Sequence, residues 1–359
     1  MKLSVKLKTG VVLSYYSVIA GWACDYVIYA IRNQFDHATK AHIEDLFSQL
    51  IASPLRLLIW HTVVMAATTL VVIRGVNKGL ERCILYLFPA MLVLIVILVA
   101  YATQYGEFYR GLHFLLYPDF SALSSKGFLI ALGHSFFTLS IAVGSIMMYG
   151  AYVPKDISIG QAAVAIAVAD TSVALLSGLA IFPIVFANGF APEAGPGLIF
   201  KILPLAFGHM VGGYIFGIVF FVMVVFAAFT SAISLMEPSV GWAMDTWQLN
   251  RRQAAILMGS GIWLLGLVTV FSFNLWSQVK IFGMGLFENL DYLTANIMLP
   301  LGGLLLSLFT GWQMRKSDLV DELALKSPIV FAIWRFILRY VAPLGILIIF
   351  LDFMGFIQL

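Results

Sequence analysis

The strongest constraint on this chain is its long apolar runs. Nine are long enough to cross a bilayer: residues 11–31, 55–73, 83–104, 127–152, 161–186, 212–246, 253–273, 287–311 and 328–352. About 20 helical residues, rising 1.5 Å each, cover the ~30 Å of hydrocarbon. Inside that slab backbone N–H and C=O groups must bond within the protein, which leaves helices or closed barrels. No run alternates apolar and polar residues with period two, so a barrel is excluded. The predicted fold is an all-α polytopic membrane protein with nine transmembrane helices. The run at 212–246 exceeds one perpendicular crossing and must tilt or protrude. Composition closes the soluble alternatives: 61% of the 359 residues are hydrophobic and 11% charged, against ~25% charged in soluble domains. Two cysteines, Cys24 and Cys83, cannot staple a chain of this length. A net charge of +3, spread along the chain, offers no basic face to nucleic acid.

The opening MKLSVKLKTGVVLSYY has the look of a signal peptide, but its apolar run continues to Ile31 and Gly21-Trp22-Ala23-Cys24 is a poor cleavage site. It is read as a retained helix. With the N-terminus inside, fourteen of the 21 Lys and Arg residues fall on the cytoplasmic side and seven outside, so the positive-inside rule favours that orientation. The C-terminus is then outside. No N-x-S/T sequon occurs, in keeping with a bacterial inner (cytoplasmic) membrane. Most loops are short; the longer ones are 32–54, 105–126, 187–211 and 312–327. The first is polar and predicts an external or interfacial helix. The third carries Gly189, Pro192, Gly195, Pro196 and Gly197, turn chemistry that needs shelter from lipid. One transmembrane domain, 1–359, accounts for the chain.

Polar residues within the spans are the candidates for function, because a carboxylate at mid-bilayer costs ~2.5–3.5 kcal/mol on insertion scales. Asp170 lies mid-span beside Thr171 and Ser172 and reads as an ion ligand, a proton carrier or a hydrogen-bonded packing group. Glu237 precedes Pro238, where a kink is predicted, and suits a structural or gating pair with a basic residue as well as a ligand. Glu288 and Asp291 begin the eighth run, as favourable helix N-terminal charge or as an external gate. Asp25 and Asp352, near span ends, read as interfacial. In the fourth run Thr138, Ser140, Gly144 and Ser145 permit either close helix packing or a break exposing backbone carbonyls. In the sixth, Ala227, Thr230 and Ser231 share one helix face; they suit a small hard cation, or hydroxyls bonded back to the preceding turn. The six histidines form no i, i+4 pair, and there is no P-loop or G-x-S-x-G elbow, so no enzyme is indicated.

Six ordered segments carry a family likeness: LSYYSVIAGW (13–22), RGVNKGLER (74–82), ALGHSFFTLSIAVGSIMMYGAYV (131–153), ADTSVALLSGLAIFP (169–183), EAGPGLIF (193–200) and FAAFTSAISLMEP (226–238). They resemble the neurotransmitter:sodium symporter family, above all its bacterial amino-acid branch, and the likeness runs from about residue 10 to the end. The resemblance implies two inverted five-helix repeats plus extra helices. The nine runs match the third to eleventh helices of that fold. The first two are absent, as in an N-terminally truncated gene product or one half of a split pair with a separately encoded N-terminal fragment.

Position by position, the resemblance implies a substrate pocket of Tyr16, Phe137, Ser140, Val143, Ser231 and Leu235. Tyr16 would bond the substrate carboxylate and Phe137 would act as the aromatic lid. Thr138 and Asp170 match ligands of a first Na⁺; Ala227, Thr230 and Ser231 match half of a second Na⁺ site; Asp291 matches the outer-gate acid. Asp170 stands where well-known members have asparagine, and a resident carboxylate can supply the charge that chloride brings to animal members. Val143 for a bulky aromatic enlarges the pocket, and Ala142 for a glycine stiffens the break. The implied function is sodium-coupled symport of a small amino acid or related amine by alternating access, independent of chloride. With half its sodium oxygens missing, the chain alone is expected to show no sodium-coupled uptake. The alternatives are a non-transporting scaffold or regulatory fragment, and a proton-coupled transporter using Asp170 and Glu237.

Overall fold

The computed structural model describes residues 2–121, 123–141, 144–150, 153, 157–192, 195–323 and 327–353. The first half runs α1 (Lys2–Ile31), α2 (Lys40–Ala52), α3 (Pro54–Ile73), α4 (Arg82–Tyr105) and the short α5 (Phe108–Leu116). Next come α6 (Ser125–Thr138), α7 (Ser145–Gly150), α8 (Ile159–Ala187), the short α9 (Leu203–His209), α10 (Gly213–Trp247) and α11 (Arg251–Ser272). A two-stranded hairpin, Lys280–Ile281 against Met284–Gly285, precedes α12 (Leu286–Tyr292) and α13 (Leu299–Leu308). The chain ends with α14 (Lys316–Leu323), α15 (Pro328–Phe336) and α16 (Ala342–Phe353). Wider π-type turns at Leu293–Met298 and Ile337–Val341 join α12 to α13 and α15 to α16, so each pair makes one span.

Among the described residues eight helical segments are long and apolar enough to cross a membrane. The run 127–152 departs from one continuous helix: α6 ends at Thr138 and α7 begins at Ser145, with the turn residues 139–141 and the bend at Gly144 described between them. Ser140 (φ 52°) and Gly144 (φ 100°) flank that break in left-handed backbone. Of the two readings of this run, the break is the one observed. At Gly144 only a residue without Cβ takes such a φ cheaply. The helix expected in the first loop is present, and the other three loops hold more structure than predicted. Polar 32–54 carries α2, capped by the Thr39 hydroxyl accepting from His42 N–H; 105–126, 187–211 and 312–327 contain α5, α9 and α14.

Helix α10 is the axis of the bundle, touching α1, α3, α4, α7, α9 and α11. Its 35 residues run through Pro238 as one helix, entered from Gly212 at φ 73°. Two buried clusters divide its length. Toward the end bearing α2 and α9, Trp22, Tyr26, Leu98, Phe200, Phe207 and Phe221 pack from α1, α4, α10 and the 198–209 connection. Of the 187–211 loop, only the 198–209 part is sheltered, with Tyr26 Oη donating to Phe200 O at 2.7 Å, whereas Gly189, Pro192, Gly195 and Pro196 are exposed, against the shelter expected for them. Toward the opposite end Leu13, Met65, Val72, Ala232, Met236 and Ala255 join α1, α3, α10 and α11. Between α1, α3 and α11, buried His61 bridges Ser17 Oγ (2.9 Å) and Trp263 O (3.1 Å).

One sequence expectation is corrected here. Asp25 is not interfacial but 2% exposed, its carboxylate held by Arg56 Nη2 at 2.9 Å, Arg56 Nε at 3.0 Å and Trp60 Nε1 at 2.8 Å. Burial is tolerable because the start of α3 delivers a cation and an indole donor to it.

Candidate ion and substrate site

The break between α6 and α7 faces a cavity of about 600 Å³ between α1, α4, α8 and α10. Seven sequence-predicted residues meet on its wall: Tyr16 from α1, Thr138 and Ser140 from the break, Asp170 from α8, and Thr230, Ser231 and Leu235 from α10. Val12, Ile84, Phe88 and Ile166 add an apolar side. Periodicity accounts for the α10 contribution, since Thr230, Ser234 and Leu235 lie within one face of a 3.6-residue helix. Ser140 is present because the helix stops at Thr138; a continuous helix would turn it and Thr138 to different faces.

Hydrogen bonds orient these groups. Tyr16 and Ser231 line the same wall from the two sides of the α1–α10 seam. Thr230 Oγ1 donates to Phe226 O (3.1 Å) and Ala227 O (3.0 Å), the back-bonding read as the bland alternative for this hydroxyl. The two readings are compatible. A threonine hydroxyl has one proton and two lone pairs, so spending the proton on the preceding turn leaves the lone pairs for a cation. The half-helix α7 is anchored to α10 by Ser145 Oγ donating to Ser234 O (3.0 Å) and Tyr149 Oη to Ser234 Oγ (2.7 Å), while Ser234 Oγ donates to Thr230 O (3.0 Å).

Other predicted residues lie elsewhere or outside the description. Ala227 contributes nothing to the cavity wall; its carbonyl accepts the Thr230 proton. Val143 lies outside the described residues, as does the Phe137 side chain. Asp291, on α12, is exposed away from the cavity, and nearby the Tyr15 ring packs on Phe287 while its hydroxyl meets buried Thr294 Oγ1 at 3.0 Å. The adjacent tyrosines therefore serve different sites, Tyr16 the cavity and Tyr15 the α1–α12 contact. Glu237 takes the pairing anticipated for it: Arg251 Nη1 and Nη2 bond its carboxylate at 3.0 and 2.6 Å, and it is fully buried outside the cavity.

Four polar cavity residues had no place among the predicted site residues: His134, Ser145, Tyr149 and Ser234. A signal existed, because His134 and Thr138 are spaced i, i+4, as are Ser145 and Tyr149, and Thr230 and Ser234. Among the described residues no group of three His, Cys, Asp or Glu gathers as a metal site. The cavity offers hydroxyls and one carboxylate, an oxygen donor set that suits a hard cation.

The sequence profile of the Sodium:neurotransmitter symporter family matches residues 37–358. The chain belongs to that family. As a sodium:neurotransmitter symporter it is a multi-pass, sodium-dependent membrane transporter and not an enzyme. It is 37% identical over 97% of its length to an uncharacterized sodium-dependent transporter, YhdH, of Bacillus subtilis (strain 168), covering 78% of that protein. It is 28% identical over 59% of its length to the sodium- and chloride-dependent GABA transporter 2 of Mus musculus, covering 36% of that one. Among solved structures it is similar to MhsT in complex with L-phenylalanine, with a TM-score of 0.88 and 39% identity over 98% of this chain and 80% of that one. The symporter's all-helical fold thus agrees with the fold read from its apolar runs.

Proposed function

We propose that this symporter moves a small amino acid or related amine across the cytoplasmic membrane together with Na⁺, and that chloride is not required. The observation that carries the reading is the convergence of Tyr16, Thr138, Ser140, Asp170, Thr230 and Ser231 on one cavity beside a broken helix. A break frees backbone groups that a continuous helix would keep bonded, and free groups of that kind can hold both an ion and the charged ends of an amino acid.

In this reading Thr138 and Asp170 contribute to a first sodium, and Thr230 and Ser231, with Ala227, to a second. Tyr16 and Ser231, on one wall of the cavity, bracket the substrate carboxylate, with Ser140, Leu235, Phe137 and Val143 completing the pocket and Asp291 serving an outer gate. These side chains supply only part of an ion's oxygen shell, and the rest comes from substrate, water, lipid-excluded backbone or another protein segment. The carboxylate of Asp170 provides the fixed negative charge that makes chloride unnecessary. The L-phenylalanine in the MhsT complex supports an amino acid as the substrate class. Proton coupling through Asp170 and Glu237 is disfavoured, because Glu237 is held by a guanidinium away from the cavity.

Labelled-sodium binding to the purified chain tests this reading. Thr230→Val and Asp170→Ala should each weaken saturable Na⁺ binding by about tenfold or more, the worth of one charge-assisted oxygen contact. Unchanged sodium binding in both variants would refute the assignment. Amino-acid accumulation driven by a proton gradient without Na⁺ would favour the proton-coupled alternative.

A further inference from the structure

A second cavity, of about 560 Å³, lies between α14 and α15, where the chain passes from the Leu286–Gln313 span to the Pro328–Asp352 span. Three cations, Lys316, Arg335 and Arg339, line it, and no carboxylate does among the described residues. The acids of α14 (Asp318, Asp321 and Glu322) form no ion pair with any of the three among the described residues. Arg339 is fixed in place: its Nε donates to Gly311 O and its guanidinium sits 5.2 Å from the Trp312 ring centroid. Arg335 Nε is buried and has no hydrogen-bond partner. Three cations around one cavity with no acid among its described lining repel one another, so the geometry points to an anion that balances them.

The position narrows the anion. Gly311 and Trp312 close the preceding span, and Arg339, although twelfth in the span Pro328–Asp352, packs level with that end through its bond to Gly311 O. The orientation read from Lys and Arg makes that end cytoplasmic. The mouth of the cavity is apolar, with Val320 and Phe336 both exposed and Phe331 buried behind them. Beside it Ile329, Ile333 and Ile337 form an exposed stripe at i, i+4 spacing along the same helix. A free inorganic anion has no use for such a mouth, whereas a lipid acyl chain does.

We propose that this cavity binds an anionic phospholipid of the cytoplasmic leaflet, its phosphate among Lys316, Arg335 and Arg339 and its acyl chain over Phe336 and Val320. The headgroup balances three like charges. Basic pockets between spanning helices at this depth recognise anionic headgroups in the same way. The site is separate from the ion cavity and belongs to different helices.

The test is native mass spectrometry of the purified full chain with added phosphatidylglycerol or phosphatidylcholine. The wild type should retain phosphatidylglycerol about tenfold better than phosphatidylcholine, as the basic residues at the headgroup imply. Lys316→Gln/Arg335→Gln should abolish that preference. Lys316→Gln alone, at an exposed position that does not endanger folding, should reduce it severalfold. Arg252→Gln, at an exposed arginine on another helix, should leave it intact. Equal retention of the two lipids by the wild type would overturn the proposal, as would full selectivity in the double variant. Displacement of phosphatidylglycerol by millimolar inorganic phosphate would overturn the lipid as the ligand.

Discussion

The Glu237–Arg251 pair offers a quantitative test of what holds α10, which lines the cavity, to its neighbours. Glu237 is fully buried on α10, and Arg251, 20% exposed, opens α11. Two of the guanidinium's donors serve the carboxylate, and Nε donates to Val72 O on α3 at 2.8 Å. One side chain therefore ties three helices, and Asn250 pins its backbone through a capping box with Gln253. Arg251→Met removes all three bonds and strands a carboxylate with no route to water, which costs about 3–5 kcal/mol. Glu237→Gln is milder, at ~1–3 kcal/mol, because the guanidinium keeps Val72 O and reaches solvent on its exposed side. In the double variant neither charge remains, so the loss should be smaller than for Arg251→Met alone, and the coupling about 2 kcal/mol or more. Denaturant unfolding of the purified variants in one detergent, followed by circular dichroism, gives the cycle. Additive losses would refute the reasoning, as would an Arg251→Met variant no less stable than Glu237→Gln. Either would mean that water reaches the carboxylate and that the pair is an ornament of the fold.

The same measurement applies to two other buried contacts. A Cβ at position 266 would fall on the His61 ring and 2.7 Å from Ser14 O, so Gly266→Ala should lose ~1–3 kcal/mol; His61→Ala alongside it should restore part of that loss by clearing the ring. Asp25→Ala leaves Arg56 and Trp60 Nε1 without their shared acceptor and should destabilise by about 2–4 kcal/mol; a loss below ~0.5 kcal/mol, as for an exposed pair, would contradict its burial. Asp170→Asn removes the fixed charge from the cavity and should make sodium-dependent substrate binding require chloride, read as binding in chloride against gluconate buffer; indifference to the anion would sink the charge-substitution idea.

What the sequence disclosed and what it hid divide along the physics of the bilayer. Apolar length and the absence of period-two alternation specify an all-helical bundle, because hydrocarbon tolerates so few backbone solutions. Mid-span polar residues pointed to the cavity for the same reason: Asp170, Thr138 and Thr230 are costly unless they share a wet or ion-bearing space, and all three line one. The interruption between Thr138 and Ser145 was legible only as one of two options, since small and hydroxylated residues serve tight packing as well as breaks. Asp25 was misread because nearness to a helix end says nothing about whether another helix covers it, and Arg56 lies 31 positions away in sequence. The cationic cavity was hidden for a related reason. Lys316, Arg335 and Arg339 each counted as a single entry in the charge balance of one side, and only the folding of α14 against α15 sets them around a common space. Hydropathy fixes how deep a residue lies, but not which residue faces it across a helix seam. For this chain, depth singled out Asp170, Thr138 and Thr230, which line one cavity, whereas the buried pairs and the second cavity depend on contacts between helices distant in sequence.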